Sequence, residues 1–396
     1  MIAIIAPEPA AWPSRIAALA AAIDPDVRIF APWALPDLAP LRALSRRVAF
    51  LRRRLTSHRC DTVPGWPIAE LALSAWIGER ADRRLRALFL RRAAVDRLAA
   101  ARIAGAGELR AVIAPAGAAE RSFAAAARAG ARAILLDDLP SLRQLQEDLD
   151  RAACRHPDCR FLRRFRAGPS VLARQEVEWA MADHILVRGT FARAVRAAAG
   201  VSPHRLIDWP DPLPAIDCPR TGAPRAAARP TRALLAGLAA ARHGTCEALA
   251  LLETRPDLEL VVRAGEGLEP AGLLDHPRVS RASAAELSRL DGIGLVIAPS
   301  WCESYPDELA RAVSHGVPVT GTVRAAGFLD LGGGAAPEPG DVPGLSAALE
   351  MALAFPVHQD EAARWRTRLV LADIQLKSAL SSVSGPLLAY PPASAP

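Results

Sequence analysis

Lysine is almost missing from this chain: of its 49 basic residues every one but Lys377 is an arginine. Such a bias fits a GC-rich genome and lowers the weight that any single arginine carries. Aromatic residues make up only 5% of the sequence. They do not interleave with the basic runs as a base-stacking platform requires, and no RNA- or DNA-binding motif is present, so nucleic acid is not an expected partner. The six cysteines, at positions 60, 154, 159, 218, 246 and 302, are too sparse for a disulfide scaffold. Cys154, His156 and Cys159 bring two thiols and an imidazole together, but no fourth ligand stands nearby, so reduced structural thiols are expected and no metal. No stretch approaches the roughly 18 uninterrupted apolar residues of a membrane span. The opening Met1-Ile2-Ala3-Ile4-Ile5-Ala6-Pro7 lacks the charged start of a signal peptide and reads as a first strand. A cytoplasmic location is the expectation.

What is present is an apolar, alanine-rich chain of 396 residues, 51% hydrophobic, with a net charge of +7. That length exceeds one typical core, so two domains are expected, and the composition suits an α/β protein. The charge suits an anionic partner, either a phosphorylated substrate or an anionic lipid surface. Short apolar runs alternate with helical patterns throughout. Strands are expected over 2–6, 26–30, 109–114 and 131–136, and helices over 14–23 and 118–130. A long helical region spans 142–182 with breaks near Pro157 and Pro169. Residues 210–230, rich in Pro, Asp and Arg, read as a linker. The pattern restarts with a strand over 232–237, a helix over 245–254 and a strand over 258–262 that runs into Gly265-Glu266-Gly267. Helices over 343–353 and 361–380 follow. This alternation implies parallel sheets, with an N-terminal Rossmann-like domain over 1–210, a linker over 211–230 and a second Rossmann-like domain over 231–396.

Residues 41–59 are basic and amphipathic. Leu44, Val48, Leu51 and Leu55 recur at helical spacing, while Arg42, Arg46, Arg47, Arg52, Arg53, Arg54 and Arg59 crowd the remainder. Two readings stand: a helix lying on an anionic membrane surface, or a solvated helix packed on its own domain.

The most informative segment is 295–322. Leu295 to Ala298 reads as a buried strand that stops at Pro299-Ser300. Glu303 follows as a lone loop acid. A helix over 307–315 ends at Gly316, and Val317-Pro318-Val319 starts another strand. The arrangement places a carboxylate and free backbone N–H groups at the carboxyl end of a strand, where open α/β sheets bind ligands and helix N-termini attract phosphate.

Pro299-Ser300-x-x-Glu303, followed by Gly316-x-Pro318-Val319 thirteen residues after the acid, resembles the donor-sugar signature of glycosyltransferase family 4. Glu178-Trp179-Ala180-Met181-Ala182-Asp183-His184-Ile185-Leu186-Val187 is similar to the segment that closes the N-terminal domain in that family, with Gly189 where a serine is usual. The resemblance implies a GT-B architecture of two doubly wound, Rossmann-like domains facing a cleft. It also implies a retaining transfer of sugar from a nucleoside-diphosphate donor, with no metal and no cofactor. No metal-binding Asp-x-Asp with supporting acids is read, in keeping with that mechanism. The acceptor implied is a glycan, a lipid-linked sugar or a protein, as in bacterial polysaccharide assembly.

Site residues follow from the same resemblance. Glu303 would contact donor sugar hydroxyls, with Ser300 and the amides of Ser304 and Tyr305 on the diphosphate side. The phosphate loop becomes Gly237 to Gly244, with Leu238 where the family has arginine and His243 where it has lysine. Arg242 would supply one phosphate contact, His243 a pH-sensitive substitute, and Gly265 a further turn on the nucleotide side. Arg311 stands where the second acid is expected. A cation cannot accept from ribose hydroxyls, so it would bind phosphate or pair with Glu308 one helical turn away. Asp137 and Asp138 would either orient an acceptor or cap the helix that follows. With three donor positions altered, the expected activity is a transferase. The alternative is a GT-B protein that has lost turnover and serves as a binding or assembly partner in glycan biosynthesis.

Overall fold

The computed structural model of the chain describes residues 1–7, 12–32, 35–36, 55–56, 59–62, 66, 69, 72, 81–105, 107–159, 162, 166–209, 231–264, 269–303, 305–326, 336–354 and 359–381. The proposed linker, most of the basic stretch 41–59, Gly265 and Ser304 lie outside them. The end of that basic stretch is described at Leu55–Thr56 and Arg59–Thr62, and both segments are strands, not helix.

A first sheet contains β1 (Ile2–Ile5), β2 (Val27–Ala31), β5 (Arg59–Thr62), β6 (Ala111–Pro115), β7 (Arg132–Leu136), β8 (His184–Val187) and β9 (Leu206–Asp208), in the order β5-β2-β1-β6-β7-β8-β9. Two short strands, β3 (Leu35–Pro36) and β4 (Leu55–Thr56), pair separately. A second sheet contains β10 (Thr231–Leu238), β11 (Leu258–Arg263), β12 (Val279–Arg281), β13 (Leu295–Ala298) and β14 (Val319–Gly321), in the order β12-β11-β10-β13-β14. The pairings of the second sheet are all parallel. Helices follow the strands: α1 (Trp12–Ala21), α2 (Ala81–Ile103), α3 (Glu120–Arg128), α4 (Leu142–Arg155), α5 (Pro169–Met181) and α6 (Gly189–Ala198) in the first half. In the second half are α7 (Thr245–Thr254), α8 (Ala284–Arg289), α9 (Asp307–His315), α10 (Val323–Ala326), α11 (Val342–Ala354) and α12 (Gln359–Ser381). The fold class is the expected α/β one.

By contact the chain forms two compact units: Met1–Asp137 with Ala173–Leu186 and Asp373–Pro396, and Asp138–Leu172 with Val187–Ala372. In the first, Ile2, Ile4, Ile113 and Ile134 are fully buried, as strands covered on both faces require. Glu178 of α5 is fully buried and accepts from the amides of Gly117, Ala119 and Glu120, which open α3. Trp179 donates its indole N–H to Asp137 at 2.9 Å. Asp137 is itself fully buried, so it neither faces an acceptor nor caps a helix; the cap of α4 is Ser141. Asp183 accepts from the amide of Ala133 at 2.8 Å. The Glu178–Asp183 segment therefore joins α5 to the sheet. The end of α12 groups with this unit, where Asp373 meets Arg15 at 2.5 Å.

In the second unit, alternate residues of each strand point to opposite faces and feed two cores. Leu234, Val261 and Val296 pack with Leu309 and Val313 of α9. Leu235, Leu260, Val262, Leu295 and Ile297 pack with Leu251 of α7 and Leu349 of α11. This sandwich holds the carboxyl ends of β10, β11 and β13 side by side.

Candidate functional site

Strand β10 is apolar through Ala233-Leu234-Leu235-Ala236 and passes through Gly237, whose φ of +82° few side chains adopt, to end at Leu238. The chain then makes a single turn over Ala241–His243 and enters α7 through Gly244, at φ +78°. Gly244 lies so close to the strand-ending Pro299 that an added Cβ would stand 1.9 Å from its carbonyl oxygen. The two loops are also tied by hydrogen bonds. The carbonyl of Arg242 accepts from the amide of Trp301 at 3.0 Å, and the Ser300 hydroxyl is shared between that carbonyl, at 3.2 Å, and the carbonyl of Cys302, at 2.8 Å. Ser300 thus joins loop to loop.

Around Gly237 is a charged cluster. Arg242 donates from Nε to Nε2 of His243 at 3.1 Å, which requires that nitrogen to carry no proton. Burial, followed by the Arg242 and Arg263 guanidiniums, pushes His243 down to about 3. His243 is therefore neutral near pH 7 and not the pH-sensitive cation expected. Positive charge comes instead from Arg242 and Arg263. Glu308, at the start of α9, is 3% exposed in its side chain and pairs with Arg263 at 3.1 Å. It also accepts from the amide of Gly237 at 3.3 Å. Counted over the described residues, two guanidiniums and one carboxylate make this cluster net cationic.

Glu303 belongs to a second, adjoining cluster in the same unit. It pairs with Nη1 of Arg196 at 2.7 Å, accepts from the amide of Ser141 at 3.4 Å, and receives the Tyr305 hydroxyl. Arg196 also donates to the carbonyl of Leu139 at 2.7 Å. Burial and then the Glu303 carboxylate push the Tyr305 phenol well up, so it stays protonated as a donor. Arg188 lies over the Tyr305 ring, 5.4 Å from its centre.

The expected site residues thus divide. Gly237, Arg242 and His243 come together, Ser300 braces them, and Glu303 and Tyr305 sit side by side. Arg311 is apart: its guanidinium donates to the carbonyl of Leu287, and Glu308 pairs with Arg263 instead of with it. His156 meets Glu247 at 2.6 Å, and Glu247 also accepts from the indole of Trp301 at 2.8 Å. Among the described residues no group of three or more His, Cys, Asp or Glu could hold a metal ion. Asp148 is committed to Arg324 and Arg151, and Asp150 to Arg166. Sequence reasoning missed Arg196 and Arg263, and named Glu308 only as a candidate partner of Arg311. Only Arg263, at the end of an apolar strand, carried a positional hint.

No family model matches the chain, and no curated protein does. Solved structures do. The apo lipopolysaccharide outer core galactosyltransferase WaaB is 14% identical at a TM-score of 0.57, over 96% of this chain and 98% of its own. Sucrose-phosphate synthase from Thermosynechococcus elongatus is 16% identical at 0.57, over 95% and 97%. Anabaena HepE, in complex with UDP and glucose, is 13% identical at 0.54, over 96% and 99%. At these identities the likeness is one of fold, and the fold of this chain is the α/β GT-B type.

Proposed function

We propose that this protein is a glycosyltransferase that moves a sugar from a nucleoside-diphosphate donor to a glycan, lipid-linked or protein acceptor, with retention of configuration and without a metal. Residues 231–396 would hold the donor and 1–210 the acceptor, joined by 211–230. The observation that carries this reading is the cationic, glycine-lined sheet edge of Gly237, Arg242 and Arg263, at the strand ends where open α/β sheets take ligands. Guanidiniums fixed there in advance suit a leaving diphosphate, on which charge grows as the glycosidic bond breaks. The UDP and glucose of the Anabaena protein, on the same fold, support a nucleotide sugar as the donor class. Incubation with a panel of UDP- and GDP-sugars, with release of the nucleoside diphosphate as the readout, tests it. Donor-dependent release that persists in chelator, with an α-linked product from an α-linked donor, is expected. No release with any donor sinks the catalytic claim.

One observation favours the second reading, a GT-B protein that binds without turnover. Glu303, the acid assigned to the donor sugar, is buried and engaged by Arg196 and Tyr305. In that case nucleotide binds, no product forms, and Glu303→Ala alters stability but not nucleotide affinity.

A further inference from the structure

One guanidinium of the cationic cluster, that of Arg263, has a donor left over. Its side chain is 42% exposed, and its one ion pair among the described residues, to Glu308, uses Nη1. A guanidinium has five N–H donors in a rigid fork. The Nε of Arg263 is buried with no hydrogen-bond partner among the described residues, a costly state for a donor in a protein interior. Among the described residues the neighbouring His243 ring offers it no acceptor, because its Nε2 lone pair is taken by Arg242. The backbone places Arg263 opposite Leu238 in the register of β10 and β11, beside the Gly237 turn. Glu308 holds the guanidinium there and takes the Gly237 amide with its other oxygen.

We propose that Arg263, positioned by Glu308, binds the phosphate groups of the nucleoside diphosphate. This rests on the donor reading above and names its principal phosphate ligand. The fork suits a phosphate's paired oxygens, and Glu308 fixes it before the ligand arrives. Because Glu308 neutralises one guanidinium charge, the edge attracts a diphosphate through Arg242 and Arg263 together and not through a large unpaired field.

The test measures dissociation constants of UDP, GDP, uridine and guanosine by calorimetry on the full chain, for wild type, Arg263→Met and Arg263→Lys. Melting midpoints verify that each variant is folded. The expected result is wild-type binding of at least one nucleotide, weakened about tenfold or more in Arg263→Met, with affinity for the matching nucleoside unchanged. Arg263→Lys keeps the charge and the apolar stem but loses the fork, so an intermediate loss is expected; it stands in for the Met variant if that one does not fold. Equal nucleotide affinity in wild type and the folded variant overturns the role of Arg263 and leaves the donor reading standing. Failure of the wild type to bind either nucleotide overturns both.

Discussion

Arg196 Nη1 and Glu303 Oε2 meet at 2.7 Å with side chains 0% and 3% exposed. A cation on α6 thus stands inside the protein against the acid that the donor-sugar resemblance singles out. Arginine is almost never fully buried unless paired, and each partner is a reason for the other. Removing one leaves an uncompensated buried charge. Arg196→Met is expected to cost about 3–5 kcal/mol, and Arg196→Met with Glu303→Gln to recover most of that. Urea denaturation of the two variants checks it; a single variant as stable as wild type would show that the pair is not structural.

His243 makes a prediction about pH. Its folded value, about 3, lies below the ordinary 6.5 because burial and two guanidiniums disfavour its charged form. Below pH 6.5 the unfolded chain takes up a proton at this position that the folded chain refuses. Its contribution is therefore whole above that pH and declines as pH falls toward 3. Replacing it by glutamine removes a slope of at most about 1.4 kcal/mol per pH unit over that window. The check is the difference in urea midpoints between wild type and His243→Gln from pH 7 to pH 4. Parallel curves would contradict it.

Two glycines with similar backbone angles are expected to respond differently to alanine. Gly316, at φ +66°, has nothing within 4 Å of an added Cβ, whereas at Gly244, φ +78°, that Cβ would stand 1.9 Å from the Pro299 oxygen. Gly316→Ala meets only the left-handed strain, about 1–2 kcal/mol. Gly244→Ala must also force two loops of the site apart, so a larger loss of stability is expected, together with lost nucleotide binding. Equal melting points for the two variants would refute the close approach.

Glu178 is the acid that seats the opening turn of α3, through three amides, and it also meets Arg174 at 3.0 Å. Arg174 reaches on to buried Asp96 at 2.8 Å. Glu178→Ala leaves these donors buried without an acceptor, a loss of about 3–5 kcal/mol. Glu178→Gln, which keeps the volume and one acceptor oxygen, is expected to lose less. Hydrogen exchange at Ala119 and Glu120 reports whether the turn loosens in each variant.

Much of the fold was legible because its signals are local. Helices 245–254 and 307–315 and the strand 295–298 have the bounds read from the sequence. Each rests on an apolar period and a terminating residue within a few positions. Leu206–Asp208 and Val279–Arg281, three residues apiece, were missed because so short a segment shows no period and its pairing depends on a distant neighbour.

The site was legible only as far as its loops are. Apolar patterning, strand-end glycines and one lone acid marked the sheet edge, since backbone conformation at a turn is dictated by the residues in it. What each side chain does there was settled by contacts across long stretches of sequence. Arg196 and Glu303 are 107 positions apart, and Gly237 and Glu308 are 71 apart. Arg196 stands in an alanine-rich helix among ordinary arginines and gives no sign that it is buried. The sequence by itself determined an alternating α/β chain with a candidate ligand edge on its second sheet. Only the tertiary structure decided which charges meet and cancel there, because ion pairing and burial depend on which strands and helices become neighbours.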